Sequence, residues 1–219
     1  MRVLVNICLF LFGGFTVMIA QSKDLNFTEA WVWEYIDSTS IKQEMVLYRE
    51  PKTGSWLFTS EAFGSTCEMC NWLLFMPNGN CYISYFDPAL NGIEKIIVLS
   101  YETPIYKAIP SNWEPTGLSK YFGEESFGFS KFTGKSYCVD YIKTNEKSIF
   151  FITDVEFNVA PLYVFNTLEL EAKLPIDFPL HLPESMLVLS ESTELPDKEI
   201  SYKFKYISPT EYFIQLKMK

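Results

Sequence analysis

The chain has 219 residues, 18 of them basic and 27 acidic, with a formal net charge of −9 at neutral pH. That balance argues against a nucleic-acid role, which needs Lys and Arg gathered against phosphate. A single histidine excludes the two-histidine zinc motifs, and the length suits one domain with a sizeable core or two small ones.

At the start, one basic residue, Arg2, precedes an apolar run from Val3 to Ala20 that only Asn6, Gly13, Gly14 and Thr16 interrupt. This is the pattern of a signal peptide over residues 1–22, with Ala20 and Ser22 as the small residues a signal peptidase reads; a cut after Ala20 is the alternative. An uncleaved anchor competes, since the run is about as long as the shortest spanning helices. Export places the protein in a secreted or periplasmic location, with no stable membrane span after signal removal. Residues 23–219 are then expected to form a single β-rich domain, because the apolar stretches are short, aromatic and punctuated by Pro, Gly or Asn.

In chain order, residues 25–39 favour a strand over a short helix, given the aromatic and β-branched run Trp31-Val32-Trp33. Residues 43–49 and 55–60 flank Pro51-Lys52-Thr53-Gly54 and predict a hairpin. Next comes the stretch CEMCNWLLFMPNGNCYISYFD, residues 67–87. Its Asn78-Gly79 predicts a two-residue type I′ loop that pairs Met76 with Cys81, Leu74 with Ile83, Trp72 with Tyr85 and Cys70 with Asp87. That register holds Cys70 and Cys81 too far apart for a disulfide, which needs Cα atoms within about 7 Å. Two connectivities remain: Cys67–Cys70 with Cys81–Cys138, which is preferred, or Cys67–Cys81 with Cys70–Cys138. Further on, Ile96-Ile97-Val98-Leu99 is apolar on both faces and predicts a central strand over residues 93–101.

Over residues 102–135 the pattern breaks, with Pro104, Pro110 and Pro115 ahead of a stretch in which Phe and Gly interleave. An irregular functional segment is expected there, with Phe122, Phe127 and Phe129 as candidate ligand contacts. Strands return at residues 136–142 and 148–157 as a hairpin. Residues 162–170 read as another strand, residues 174–183 as an extended proline-punctuated crossing, and residues 186–191 as a short strand. Residues 200–206 and 212–218 alternate apolar with polar around Ser208-Pro209-Thr210-Glu211 and predict a closing hairpin. The expected fold is all-β, or β-rich with minor helix: an antiparallel meander of about ten strands forming a barrel, half-barrel or sandwich.

Chemistry is sparse. His181, between Pro179 and Pro183, would have to serve any Ser-His-Asp or Cys-His arrangement, yet no nucleophile-turn motif precedes a serine, so it reads as a surface or structural histidine. Cys67-Glu68-Met69-Cys70 has redox spacing but runs into a strand-like segment rather than a helix. A zinc site with Cys81 and Cys138 would lack the second close pair. Structural disulfides in an oxidising compartment explain Cys67, Cys70, Cys81 and Cys138. Asp154 and Glu156 share a strand face, as glycosidase carboxylates do, but an acidic chain produces such pairs by chance. No catalytic residue, metal ligand or cofactor is assigned.

Curved antiparallel meanders often take an apolar ligand on the inner face. The expected function is an exported non-enzymatic binding protein that holds an apolar small molecule or lipid within a curved sheet. The alternative is an envelope protein–protein or glycan interaction module with an aromatic contact surface, and a glycoside hydrolase-type enzyme ranks last. Gly54-Ser55-Trp56 resembles the G-x-W signature of lipocalins and Thr153-Asp154 resembles part of another lipocalin motif; both matches are short and assign no family. Strand count and export are similar to those of the half-barrel lipoprotein carriers of the periplasm, which would imply an apolar inner face.

Overall fold

Aromatic and β-branched residues predispose most of this chain to pair in sheets. A computed structural model describes residues 22–36, 40–63, 69–87, 93–102, 106–123, 131–141, 146–168, 170, 172–179, 181–194 and 199–217. Its strands are β1 (Ser22–Ile36), β2 (Lys42–Glu50), β3 (Ser55–Thr59), β4 (Cys70–Phe75), β5 (Asn80–Asp87), β6 (Ile93–Ser100), β7 (Trp113–Phe122), β8 (Phe132–Tyr141), β9 (Glu146–Asp154), β10 (Met186–Glu194) and β11 (Glu199–Lys217). Two short helices, α1 (Ser60–Phe63) and α2 (Ala160–Val164), accompany them. All the described strands lie in one antiparallel sheet of order β6-β5-β4-β3-β2-β1-β11-β10-β9-β8-β7. The expected antiparallel meander is therefore present, as two meanders that meet where β1 neighbours β11 and end at the edge strands β6 and β7.

Contacts divide the chain into two units. In the described part of the smaller, the ends of β1 and β11 carry the buried Leu25, Ile214 and Leu216, and Gln215 Nε2 donates to Asp24 Oδ1 at 3.0 Å. The larger, Phe27–Tyr212, contains the main core. There the connection from β9 to β10 is an inner layer. Leu162, Tyr163 and Val164 of α2, Phe165 of the 3-10 turn that follows it, and Leu174, Ile176, Phe178 and Leu182 beyond join the same cluster as Trp31, Trp33, Trp56, Phe58 and Phe75 of the strands. The Phe165 ring lies 4.8 Å from that of Phe58 and 5.9 Å from that of Phe75, and Phe178 meets Trp33 edge-on at 5.7 Å. Buried Ala172, Leu174, Ile176 and Phe178 alternate with exposed Lys173, Pro175 and Asp177, so this proline-punctuated run turns one face inward, while bends at Pro175, Ile176 and His181 break the extended course expected of it.

Among the described residues, the cation Arg49 enters this core. Arg49 is buried, with its guanidinium carbon 3.8 Å above the Phe157 ring and Nη1 donating to Glu29 Oε2 at 3.0 Å. The same oxygen accepts from Trp31 Nε1 at 2.9 Å. A carboxylate partner and an aromatic face together offset the loss of water around the guanidinium.

Several sequence expectations are corrected. The β4–β5 loop has three residues, because Gly79 N donates to Met76 O while Met76 N donates to Asn80 O. Pro77, with its fixed φ, takes the first corner of the turn, and Gly79 alone takes the left-handed position, at φ 81°. Register consequently slips by one: Phe75 faces Cys81, Leu73 faces Ile83, and an irregularity at Asn71 leaves Cys70 facing Tyr85. The expected Cys81–Cys138, Cys67–Cys81 and Cys70–Cys138 bonds fail, since Cys81 and Cys138 are free; β5 and β8 have seven strands between them. No disulfide joins two described cysteines, and Cys67 lies outside the described residues.

The expected irregular segment contains β7, whose register break between Pro115 and Ser119 accommodates the proline and Gly117 on an edge strand. Residues 162–170 are helical at their start. Asn158 Oδ1 accepts from Ala160 N at 2.7 Å, Pro161 opens the first turn, and every residue from 160 to 165 is buried, which erased the polar punctuation that marks a helix. The expected closing hairpin is the continuous strand β11. Pairing with β10 spans only Glu199–Lys203, so the missing N–H of Pro209 falls beyond that ladder. Finally, β6 is an edge strand rather than a central one.

Candidate functional site

The β9–β10 connection and described residues that follow β6 enclose a mainly apolar hollow of about 220 Å³. Ala160, Tyr163 and Val164 of α2 line it at the spacing that shares a helix face, and Thr167 follows one turn on. His181 and Leu182 enter from the proline-punctuated run, and Glu102 and Tyr106 from the connection between β6 and β7. An engineered cavity of about 150 Å³ holds benzene. The hollow therefore fits a single ring with a short chain and is too small for long acyl chains.

Its inner hydroxyls are already engaged. Tyr163 Oη donates to Met186 O, and burial pushes the phenol well above its ordinary range, so it stays a neutral donor. Thr167 Oγ1 donates to Val164 O at 2.6 Å. Tyr106 Oη and His181 Nδ1 share a hydrogen bond at 2.5 Å, with the rings edge-on at 5.1 Å. His181 is held at φ 76°, a region costly for a non-glycine residue. What remains for a ligand is the Glu102 carboxylate, which has no partner among the described residues, and the second ring nitrogen of His181.

A smaller hollow of about 130 Å³ lies between Ile109, Tyr137, Ile152 and Met186, with Lys135 and Asp154 on its wall. Asp154 lines it and Glu156 does not, so the two carboxylates noted in sequence do not form one cleft there.

Of the expected contact residues, Phe122 is buried, with its ring 5.4 Å from that of Phe151. Phe127 and Phe129 lie outside the described residues. Cys81 sits in the core, where burial pushes its thiol up to about 12, and Cys138 is half-buried on β8. Among the described residues no three His, Cys, Asp or Glu side chains are grouped to hold a metal, and no helix is long and apolar enough to cross a membrane. Sequence marked His181 only as the single histidine between two prolines. Glu102 and Tyr106 fell in a stretch without pattern, where no spacing singles them out.

Compared with known protein families and with curated protein sequences, the chain matches none.

Proposed function

We propose that this is an exported, non-enzymatic binding protein that holds a small apolar molecule in the hollow bounded by α2, His181, Leu182, Glu102 and Tyr106. The observation that carries this is the hollow itself: mainly apolar walls, inner hydroxyls satisfied within the protein and, among the described side chains, free polar atoms from Glu102 and His181. Few polar groups set among apolar walls are the usual arrangement of a small-molecule site. Calorimetry with single-ring compounds tests it. Ala160→Phe, which fills the hollow, should abolish binding while leaving the circular dichroism spectrum unchanged; equal binding by that variant would sink the idea. Export is part of the same proposal, checked by N-terminal sequencing of protein from its own host, with Lys23 expected as the first residue. A Cys67–Cys70 disulfide is proposed with it.

A second reading, a protein interaction module, draws support from β6. This edge strand pairs with β5 over eight unbroken positions, contains no proline, and exposes Ile97 and Val98 by 42% and 51%. A regular apolar edge invites another strand. Val98→Lys should then abolish an association seen by sedimentation of the wild type, and a wild type that stays monomeric at high concentration counts against this reading.

A further inference from the structure

The size of the hollow limits the body of a ligand, and the charge on its wall selects the head. Among the described residues eight line it; Glu102 is the one carboxylate of these, and none is Lys or Arg. The smaller hollow differs, since Lys135 there accompanies Asp154. Glu102 has no ion pair or hydrogen bond with any described residue. Glu102 is exposed, so a neutral ligand gains nothing from its hydrated carboxylate, and an anionic one would add like-charge repulsion.

We infer that the pocket takes a small amine, a single ring or short alkyl body carrying a protonated nitrogen that Glu102 receives. This rests on the reading of the hollow as a ligand site. The remaining groups suit the same head. When His181 Nδ1 donates to Tyr106 Oη, the other ring nitrogen is an acceptor for a second N–H of the ammonium. Tyr106 and Tyr163 place aromatic rings on the wall, and a cation is attracted to such faces. The net charge of −9 adds a long-range attraction for cations.

The test uses three probes with one body and different heads: phenethylamine, the neutral 2-phenylethanol and the anionic phenylacetate. Each is titrated calorimetrically into the wild type, Glu102→Gln and Ala160→Phe at neutral pH. A charge-assisted hydrogen bond predicts that the wild type prefers phenethylamine to 2-phenylethanol by about tenfold, with phenylacetate weakest. Glu102→Gln should bring amine and alcohol within about threefold, because the charge-assisted part of the bond is gone. Binding of the alcohol as tight as that of the amine, or an amine preference that survives Glu102→Gln, overturns the amine inference while the pocket stands. If no probe binds the wild type, or if Ala160→Phe binds all three as the wild type does, the pocket fails and the amine inference with it.

Discussion

Replacing Phe165 by alanine tests whether the β9–β10 connection is an inner layer of the core. The side chain is fully buried, and its ring centroid lies 4.8 Å from Phe58, 5.9 Å from Phe75 and 6.1 Å from Phe63. Removing a buried phenyl ring costs about 3–5 kcal/mol through lost transfer energy and the cavity left behind. With a denaturant slope of about 2–3 kcal/mol per molar urea, the unfolding midpoint should fall by about 1–2.5 M. Tryptophan fluorescence reports the transition, since Trp31, Trp33 and Trp56 are buried. Leu118→Ala, at a side chain 64% exposed on β7, is the control and should leave the midpoint almost unchanged. A Phe165→Ala midpoint within about 0.5 M of the wild type would refute the inner-layer assignment, because a surface crossing would tolerate the loss.

Thiol labelling of the native protein should modify Cys138 well before Cys81, whose thiol is pushed up to about 12 and buried; mass spectrometry showing both labelled equally fast would contradict the packing of β5. In the β2–β3 turn, burial works against the ionised form of Glu50, but hydrogen bonds from Thr53 and the amide of Lys52 outweigh it and hold the carboxyl below its ordinary range. A lowered folded value means the stabilisation is present above the unfolded pKa of about 4.3 and is lost as pH falls through the folded value. Glu50→Gln should thus be less stable than wild type by about 1 kcal/mol at neutral pH, with the gap closing in acid; a gap that ignores pH would be inconsistent with the turn described. Gly79→Ala should cost about 1–2 kcal/mol from its left-handed backbone alone. Because a Cβ there would also lie 3.1 Å from Tyr101 O, whereas one at Gly117 meets nothing within 4 Å, thermal melts should show Gly79→Ala as the more damaging of the two.

Sequence was informative where each residue faced one environment. Around Gly54 the Pro-Lys-Thr-Gly turn does what its residues demand: Gly54 takes φ 71° and its N–H returns to Glu50 O. Local chemistry misled where two signals competed. Asn78-Gly79 called for a two-residue loop, but Pro77 beside it had a fixed φ that suited a three-residue turn better. Segments buried on all sides were the least legible. Ala160-Pro161-Leu162-Tyr163-Val164-Phe165 has no polar face to show its period, so a helix inside the core read as a strand. Ile96-Ile97-Val98-Leu99 fails in the opposite sense, because its apolar residues on both faces suggested a partner on each side and the described residues supply one. The pocket depends on Glu102, Tyr106, Ala160 and His181, which span 80 positions and meet only through the topology.

The neighbouring of β1 and β11 has a kinetic meaning. Each of the two meanders is built from strands consecutive in sequence, so either can begin to form from short-range contacts, but the seam between them joins the first strand to the last. During synthesis, β1 waits with one side unsatisfied until β11 has emerged, and the loop closed at that moment spans nearly the whole described chain. Refolding should accordingly show a late phase in which probes on β1 and β11 acquire amide protection together, after the β2–β3 and β4–β5 hairpins are already protected. Until that phase is over, the open side of β1 is the place where a chaperone or a second nascent chain would find a strand to pair with.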